Sequence, residues 1–516
     1  MKRHSLLLLL PLMVFACTQQ QTQPVEVVEP EQEVIVDTVP EAPVVVAFPD
    51  TMYASAEKLM IVVDTIDPSL PSVLSSLEDA YADKPGIYTF RGSSSRIPNF
   101  HGHLTDDSIQ IKVDWDFTTR IDNTNTCLGV WGGGVGWTGQ PLYVQWPQDS
   151  LQRQEIIAVS LCGDVYFIDF QTGEATREPF DVLNVLKGTP ALNTSLNGHL
   201  YIGHAVPKGA PFGTQVIDVL SHQTVNISGR DSKAWRSWGG NDSSPVEAGG
   251  FLFRPAENGG IYKYYIGDGG YALQSVLRYS TTQAKASPGM ESSMAICRNY
   301  GYIGDNAGNI LCINLNTMKP VWHYWNHDDT DASAVVELED GIPYVYTGCE
   351  VDRQGGNGCS YFVKLNGLTG ELIWEDTIRC HKLQYGNGKS SDGGMYVTPL
   401  LGEGDCEGMI FSSFCVQTSK TYSEFIAFDK HDGSVLYRTK MKHECWSSPV
   451  AFYNDQGEMF IFIGDRIGTA FLIKGKTGEI IASEKIAYNF ESSPIVVDDK
   501  IVVGSRGNKI IKISLQ

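Results

Sequence analysis

The feature that most restricts how this chain can fold is a four-residue motif, Ser-Ser-Pro or a variant after a variable first residue, that recurs eight times. It occupies positions 138–141, 187–190, 242–245, 291–294, 331–334, 396–399, 446–449 and 491–494. Each copy opens the same succession of short apolar runs. In the seventh unit these are Pro449-Val450-Ala451-Phe452, then 459–463, 470–473 and 480–482, the last two joined by Lys476-Thr477-Gly478-Glu479. A glycine there suits the positive φ of a tight hairpin, and equivalent turns stand at 171–174, 368–371 and 431–434. Four β-branched and aromatic runs per unit, without helical periodicity, read as one antiparallel blade. A period near fifty residues marks a radial array of such blades.

The eighth unit reaches Gln516 with only three strands. Gln110 to Phe117, just ahead of the first motif, has the pattern of the missing fourth. The expectation is an all-β, eight-bladed β-propeller of four-stranded antiparallel blades, its ring closed by an N-terminal strand that completes the last blade. Closure of this kind removes open sheet edges. A chain of 516 residues has room for two or three domains, but the repeat makes residues 86–516 one.

Two repeats, Phe362 to Trp374 and Phe425 to Tyr437, resemble the "ALDAxTGxxxW" signature of pyrroloquinoline-quinone-type (PQQ-like) propellers. The stretch Tyr88-Thr89-Phe90-Arg91-Gly92 is similar to the "FRG" lead-in found before many of them. The resemblance implies the propeller fold. It leaves activity open, because the family includes quinoprotein dehydrogenases and non-enzymatic lipoproteins such as the propeller subunit of the outer-membrane assembly machinery. The dehydrogenases cover their cofactor with a disulfide between adjacent cysteines and hold a calcium ion. No two cysteines here are adjacent, so no cofactor is expected, with PQQ and calcium as the alternative.

The first seventeen residues read as a lipoprotein signal peptide. Lys2-Arg3, the apolar run Leu6 to Phe15, and Val14-Phe15-Ala16-Cys17 resembling a lipobox assign Cys17 as the lipidated residue. Residues 18–85 hold thirteen Asp/Glu against Lys58 and Lys84, about half of the formal charge of −21, and read as a largely disordered Pro/Glu-rich tether. The acidity excludes nucleic acid as a partner. The expected location is the bacterial cell envelope, lipid-anchored at the outer membrane and facing the periplasm, where disulfides are permitted. Cys349 and Cys359 flank a loop and form a candidate bridge; Cys297 with Cys312 and Cys406 with Cys415 are weaker ones.

Catalytic signatures fail on inspection. Gly386-Asn387-Gly388-Lys389-Ser390 lacks the leading glycine of a phosphate loop, His443-Glu444 lacks a second histidine, and no G-x-S-x-G elbow or C-x-x-C pair occurs. The acid- and amide-rich loops 122–125, 305–309 and 328–331 read as turns rather than metal sites. No catalytic or metal-ligating residue is therefore assigned, and whether the chain is an enzyme stays open. What remains is a surface that the repeat itself creates. The first residue of each motif should lie at one mouth of the central channel, forming a ring of Thr138, Lys187, Asp242, Glu291, Asp331, Tyr396, Trp446 and Glu491, with Trp235 and Trp238 nearby. Such a concavity suits a small cationic, sugar-like or peptide ligand. The expected function is a lipid-anchored binding or scaffold protein that engages envelope proteins or such a ligand, with outer-membrane assembly as one setting; the alternative is a divergent quinoprotein-type oxidoreductase or other channel-mouth enzyme.

Overall fold

The computed structural model describes residues 45–105, 109–137, 139–147, 153–209, 211–281, 288–385, 390–416 and 422–516. Cys17, the signal peptide and Thr138 lie outside them. In every unit the innermost strand begins at the residue after the motif: Leu142–Gln145, Ala191–Leu192, Val246–Ala248, Ala295–Cys297, Val335–Glu339, Leu400–Leu401, Val450–Asn454 and Ile495–Val497. Each leads into an antiparallel sheet, and the eight sheets are the eight blades of a propeller. Ile111–Thr118 is the outer strand of the last sheet, paired with Lys509–Leu515 in antiparallel register. The two ends of the repeat array therefore share one blade.

The motif itself acts as a circumferential clasp. The backbone N–H of its third residue donates to the hydroxyl of the third residue one blade on: Gln140 to Thr189 at 2.9 Å, Ser244 to Ser293 at 3.0 Å, Ser293 to Ser333 at 2.8 Å, Thr398 to Ser448 at 3.0 Å and Ser448 to Ser493 at 3.1 Å. The Ser492 hydroxyl donates to the Gly139 carbonyl, which links the eighth blade to the first.

A second clasp explains the Thr-Gly and aromatic elements of the repeat. Trp115, Trp322 and Trp374 donate their indole N–H to Phe170, Gly367 and Lys430 carbonyls of the following blade at 3.1, 2.8 and 3.0 Å. Each ring covers the turn glycine of that blade: a Cβ on Gly173, Gly370 or Gly433 would lie 2.6–2.7 Å from the indole. These glycines also have φ of +75° to +77°, so both backbone and neighbour require glycine.

The folded body starts well before residue 86. Residues 45–85, read from composition as tether, belong to the same compact unit as the blades and pack on the third and fourth of them. Leu59–Thr65 adds a fifth strand to the third blade against Ala272–Thr281. Phe48, Leu74 and Tyr81 are buried. Apolar side chains inside the acidic stretch supply the burial that its average composition conceals.

The chain then enters the channel. Residues 87–97 run directly beneath the motif ring and bond to the inner strands of the first five blades and the seventh. The Arg91 amide donates to Gln140 Oε1 and its guanidinium to the Pro449 carbonyl. Leu192 donates to Tyr88, Thr89 Oγ1 to Pro245, Arg96 Nε to Met294, and Val336 to Ser95. Arg91 and Arg96 are both fully buried. The lead-in is thus an axial plug that spans the channel. Among the described residues no helix is long and apolar enough to cross a membrane.

Candidate functional site

Above the plug, six of the eight motif-first residues converge on one cavity of about 240 Å³: Lys187, Glu291, Asp331, Tyr396, Trp446 and Glu491. Asp242 is buried behind Lys187 and ion-paired to it. Thr138 lies outside the described residues. Trp235 is an exposed surface residue, and Trp238 donates to Glu257 Oε2 at 2.7 Å; neither lines this cavity.

The remaining lining comes from two sources outside the motif. One is the hairpin turn between the second and third strands of each blade, which emerges on the same face. It supplies Leu161 and Arg506 here, and Glu257, Asn306, Glu350 and Arg466 occupy the equivalent turn position elsewhere in the ring. The other is the segment between the closing strand and the first motif. It forms the hairpin Ile121–Thr126 and Gly129–Gly133, which carries Trp131 and leads to Trp137. Arg506 donates to the Trp131 carbonyl at 3.3 Å, and Lys208 pairs with Asp122, so both strands of this hairpin are tied down near its base.

The mouth has two unlike halves. On one side Tyr396 and Trp446 stack with ring centres 5.1 Å apart, and Trp137 meets Tyr396 edge-on at 6.5 Å. Arg466 lies 4.0 Å over the Trp446 ring. Both Arg466 and Arg506 approach Glu491, at 4.0 and 3.7 Å. On the other side Lys187 Nζ pairs with Asp242 and stands 3.7 Å from Glu291, and 5.8 and 5.7 Å from the Trp131 and Trp137 ring centres. Burial opposes the Lys187 charge, but Asp242, Glu291 and Glu257 outweigh it and hold the ammonium above its ordinary value.

A second cavity of about 490 Å³ adjoins the first and shares Asp331, Tyr396 and Trp446 with it. Its other acidic lining residues are Asp329, Glu350, Asp352 and Asp392. Lys382 pairs with Asp352 and with Asp392, the latter at 2.8 Å. Burial lifts Asp331 to about 6, held back by its neighbour Asp329, by the Lys187 charge and by Glu350. Burial and the neighbouring carboxylates hold Asp329 and Glu350 well above the usual range, and burial followed by Asp331 does the same to Glu291.

Glu350 is placed by the chain around it. It pairs with Gly394 in a short antiparallel ladder. Gly394 has φ +96°, and a Cβ there would lie 2.6 Å from the Glu350 Cα. The loop that follows is gathered by Asp328, whose carboxylate accepts the backbone N–H of Asp352, Arg353 and Gln354 at 3.1, 3.0 and 3.2 Å. Within 328–331, therefore, Asp328 performs the turn chemistry expected of the loop, whereas Asp329 and Asp331 face the cavity. Asp305 is likewise a turn residue, accepting from Ala307 and Asn309 amides at 2.9 and 2.8 Å.

The candidate bridge is not formed. Cys349 and Cys359 are free thiols, as are the other described cysteines. The strand register sets Cys349 against Tyr361, whose carbonyl accepts the Cys349 amide at 3.3 Å, so Cys359 falls two residues out of line. Lys389 and its neighbours 386–388 lie outside the described residues. Among those residues no group of three or more His, Cys, Asp or Glu is placed to hold a metal ion.

Solved structures with this architecture include the quinohemoprotein alcohol dehydrogenase of Comamonas testosteroni. It is 13% identical, with a TM-score of 0.57 over 84% of this chain and 81% of that one. A europium-containing methanol dehydrogenase is also 13% identical, with a TM-score of 0.52 over 81% of this chain and 89% of that one. At this identity the likeness is one of fold, and at that level it bears out the resemblance read from the repeats. BamB from Moraxella catarrhalis, 13% identical over 78% of this chain and 100% of that one, reaches a TM-score of 0.49, too slight to bear on function. No protein-family model matches the chain, and no curated protein matches it.

Proposed function

We propose that this chain is a binding protein of the cell envelope, lipid-anchored through Cys17, that holds its ligand or a protein partner's side chain in the plugged mouth of the propeller. One observation carries the reading: residues sharing a single position in a fifty-residue repeat, and differing from blade to blade, line one cavity in six cases. The clasp residues beside them are Ser or Thr in most blades because they hold the ring. The first positions are under no such constraint, and their mixture of carboxylates and aromatic faces is the usual make-up of a ligand site.

The oxidoreductase alternative fits less well. PQQ is itself an anion, whereas Glu291, Asp331 and Glu491 face the cavity and Lys187 is already engaged by Asp242 and Glu291.

The test is crosslinking in intact cells followed by capture from solubilised envelopes. Wild-type chain should bring down a defined partner or ligand, and Trp446→Ala with Glu491→Ala should lower recovery at least tenfold while the thermal midpoint stays within a few degrees. Equal recovery with the double variant rejects the mouth as the site. Robust dye-linked alcohol oxidation after adding PQQ and calcium rejects the binding-protein reading.

A further inference from the structure

Glu350 is 4% exposed and lines the acid cavity, yet its Oε1 has no hydrogen-bond partner among the described residues, and neither do Asp329 Oδ1 and Asp331 Oδ1. A buried carboxylate oxygen without a donor is costly. Of the five acids around this cavity, Asp352 and Asp392 are matched by Lys382. Arg353 reaches only the edge of Asp329, at 3.9 Å. Arg466, the cation of the lining, is engaged by Glu444 and Glu491.

The same mouth shows how this chain holds a cation elsewhere. Lys187 has carboxylates on one side and the Trp131 and Trp137 rings on the other; Arg466 has Glu444 and the Trp446 ring. The acid cavity repeats that arrangement, with Asp329, Asp331 and Glu350 on one wall and the Tyr396–Trp446 stack on another. These acids do not converge as ligands of a metal ion, which favours a larger, more diffuse cation.

We propose that the mouth binds an organic cation, its ammonium or guanidinium group held by Asp329, Asp331 and Glu350 and its carbon chain lying along Tyr396 and Trp446 into the neighbouring cavity. The inference rests on reading the mouth as a ligand site and names the ligand's chemistry. Two sources share that chemistry: a free polyamine and a Lys or Arg side chain of a peptide. Charge-assisted hydrogen bonds to buried acids and cation–π contact with the stack would act together.

Titration calorimetry on the full chain tests it, with spermidine, a Gly-Arg-Gly amide, a Gly-Gln-Gly amide and calcium chloride as separate titrants. One equivalent of spermidine or of the arginine peptide should bind, the glutamine peptide should not, and the tighter of the two cations identifies the source. Glu350→Gln with Asp331→Asn should weaken that binding at least tenfold, and Trp446→Ala severalfold, in variants whose circular dichroism matches wild type. Binding by neither cation, binding unchanged in the double variant, or preferential saturation by calcium at the same carboxylates would overturn the proposal. If the cations fail while an uncharged sugar or peptide quenches mouth tryptophan fluorescence in a Trp446-dependent manner, this inference falls and the mouth remains a binding site.

Discussion

At the scale of single residues, the acid cavity makes stability depend on pH with a definite sign. The Asp331 carboxyl titrates at about 6 in the folded chain and at about 3.9 when unfolded. Below pH 4 the proton is present in both states; as pH rises from about 4 through 6, the unfolded chain releases it first and folding loses free energy. Asp331→Asn, which cannot ionise, should therefore stabilise the protein by about 1–2 kcal/mol more at pH 8 than at pH 4. Urea midpoints at the two values check this, and an equal effect at both would show that Asp331 ionises freely. Half of the site was readable at this scale. The motif-first residues follow a fixed offset from a recurring clasp, so their convergence could be inferred. Glu257, Glu350, Arg466 and Arg506 also share one turn position, but strands and hairpins of unequal length separate them from the motif and blur the register. Trp131 and Trp137 belong to no repeat, and nothing in the pattern points to them.

At the scale of elements, each clasp can be tested alone. Ser293 accepts the Ser244 amide and donates its own to Ser333. Ser293→Ala would leave a buried N–H unpaired and should cost about 1–3 kcal/mol, read as a lower urea midpoint with unchanged slope; no loss would mean the hydroxyls are incidental to ring integrity. Gly433→Ala forces a side chain into Trp374 at a φ of +77° and should cost at least as much. The blades were readable because alternation and turn glycines recur in every unit. The strand Leu59–Thr65 was hidden for the opposite reason: its run Leu-Met-Ile-Val-Val has strong strand character, but it sits in a stretch whose acidity and prolines dominate any average over composition. Residues 87–97 have no period at all, because a segment that crosses a channel meets a different blade at almost every residue.

At the scale of the whole molecule, residues 45–85 belong to the compact unit of the propeller, and a chain beginning at Val45 sets the reference melting point. One beginning at residue 86 should melt several degrees lower, because it loses the fifth strand of the third blade and the buried Phe48, Leu74 and Tyr81; scanning calorimetry on both decides, and equal midpoints would make the segment a passive strap. Arg96 ties the plug to the fourth blade through the Met294 carbonyl at 2.8 Å and braces the plug itself through Phe90 and Thr89 at 2.8 and 3.0 Å. Because those bonds come from a buried charged group, Arg96→Ala should be among the most damaging single changes in the chain, at about 3–5 kcal/mol. The plug also alters what a propeller can be used for. A ring with an open bore can pass something through; this one is a cup with a floor. Whatever enters must leave by the rim it came in over, past the same tryptophans, so nothing can be threaded from face to face, and an occupant of the mouth keeps every later arrival out until it has gone.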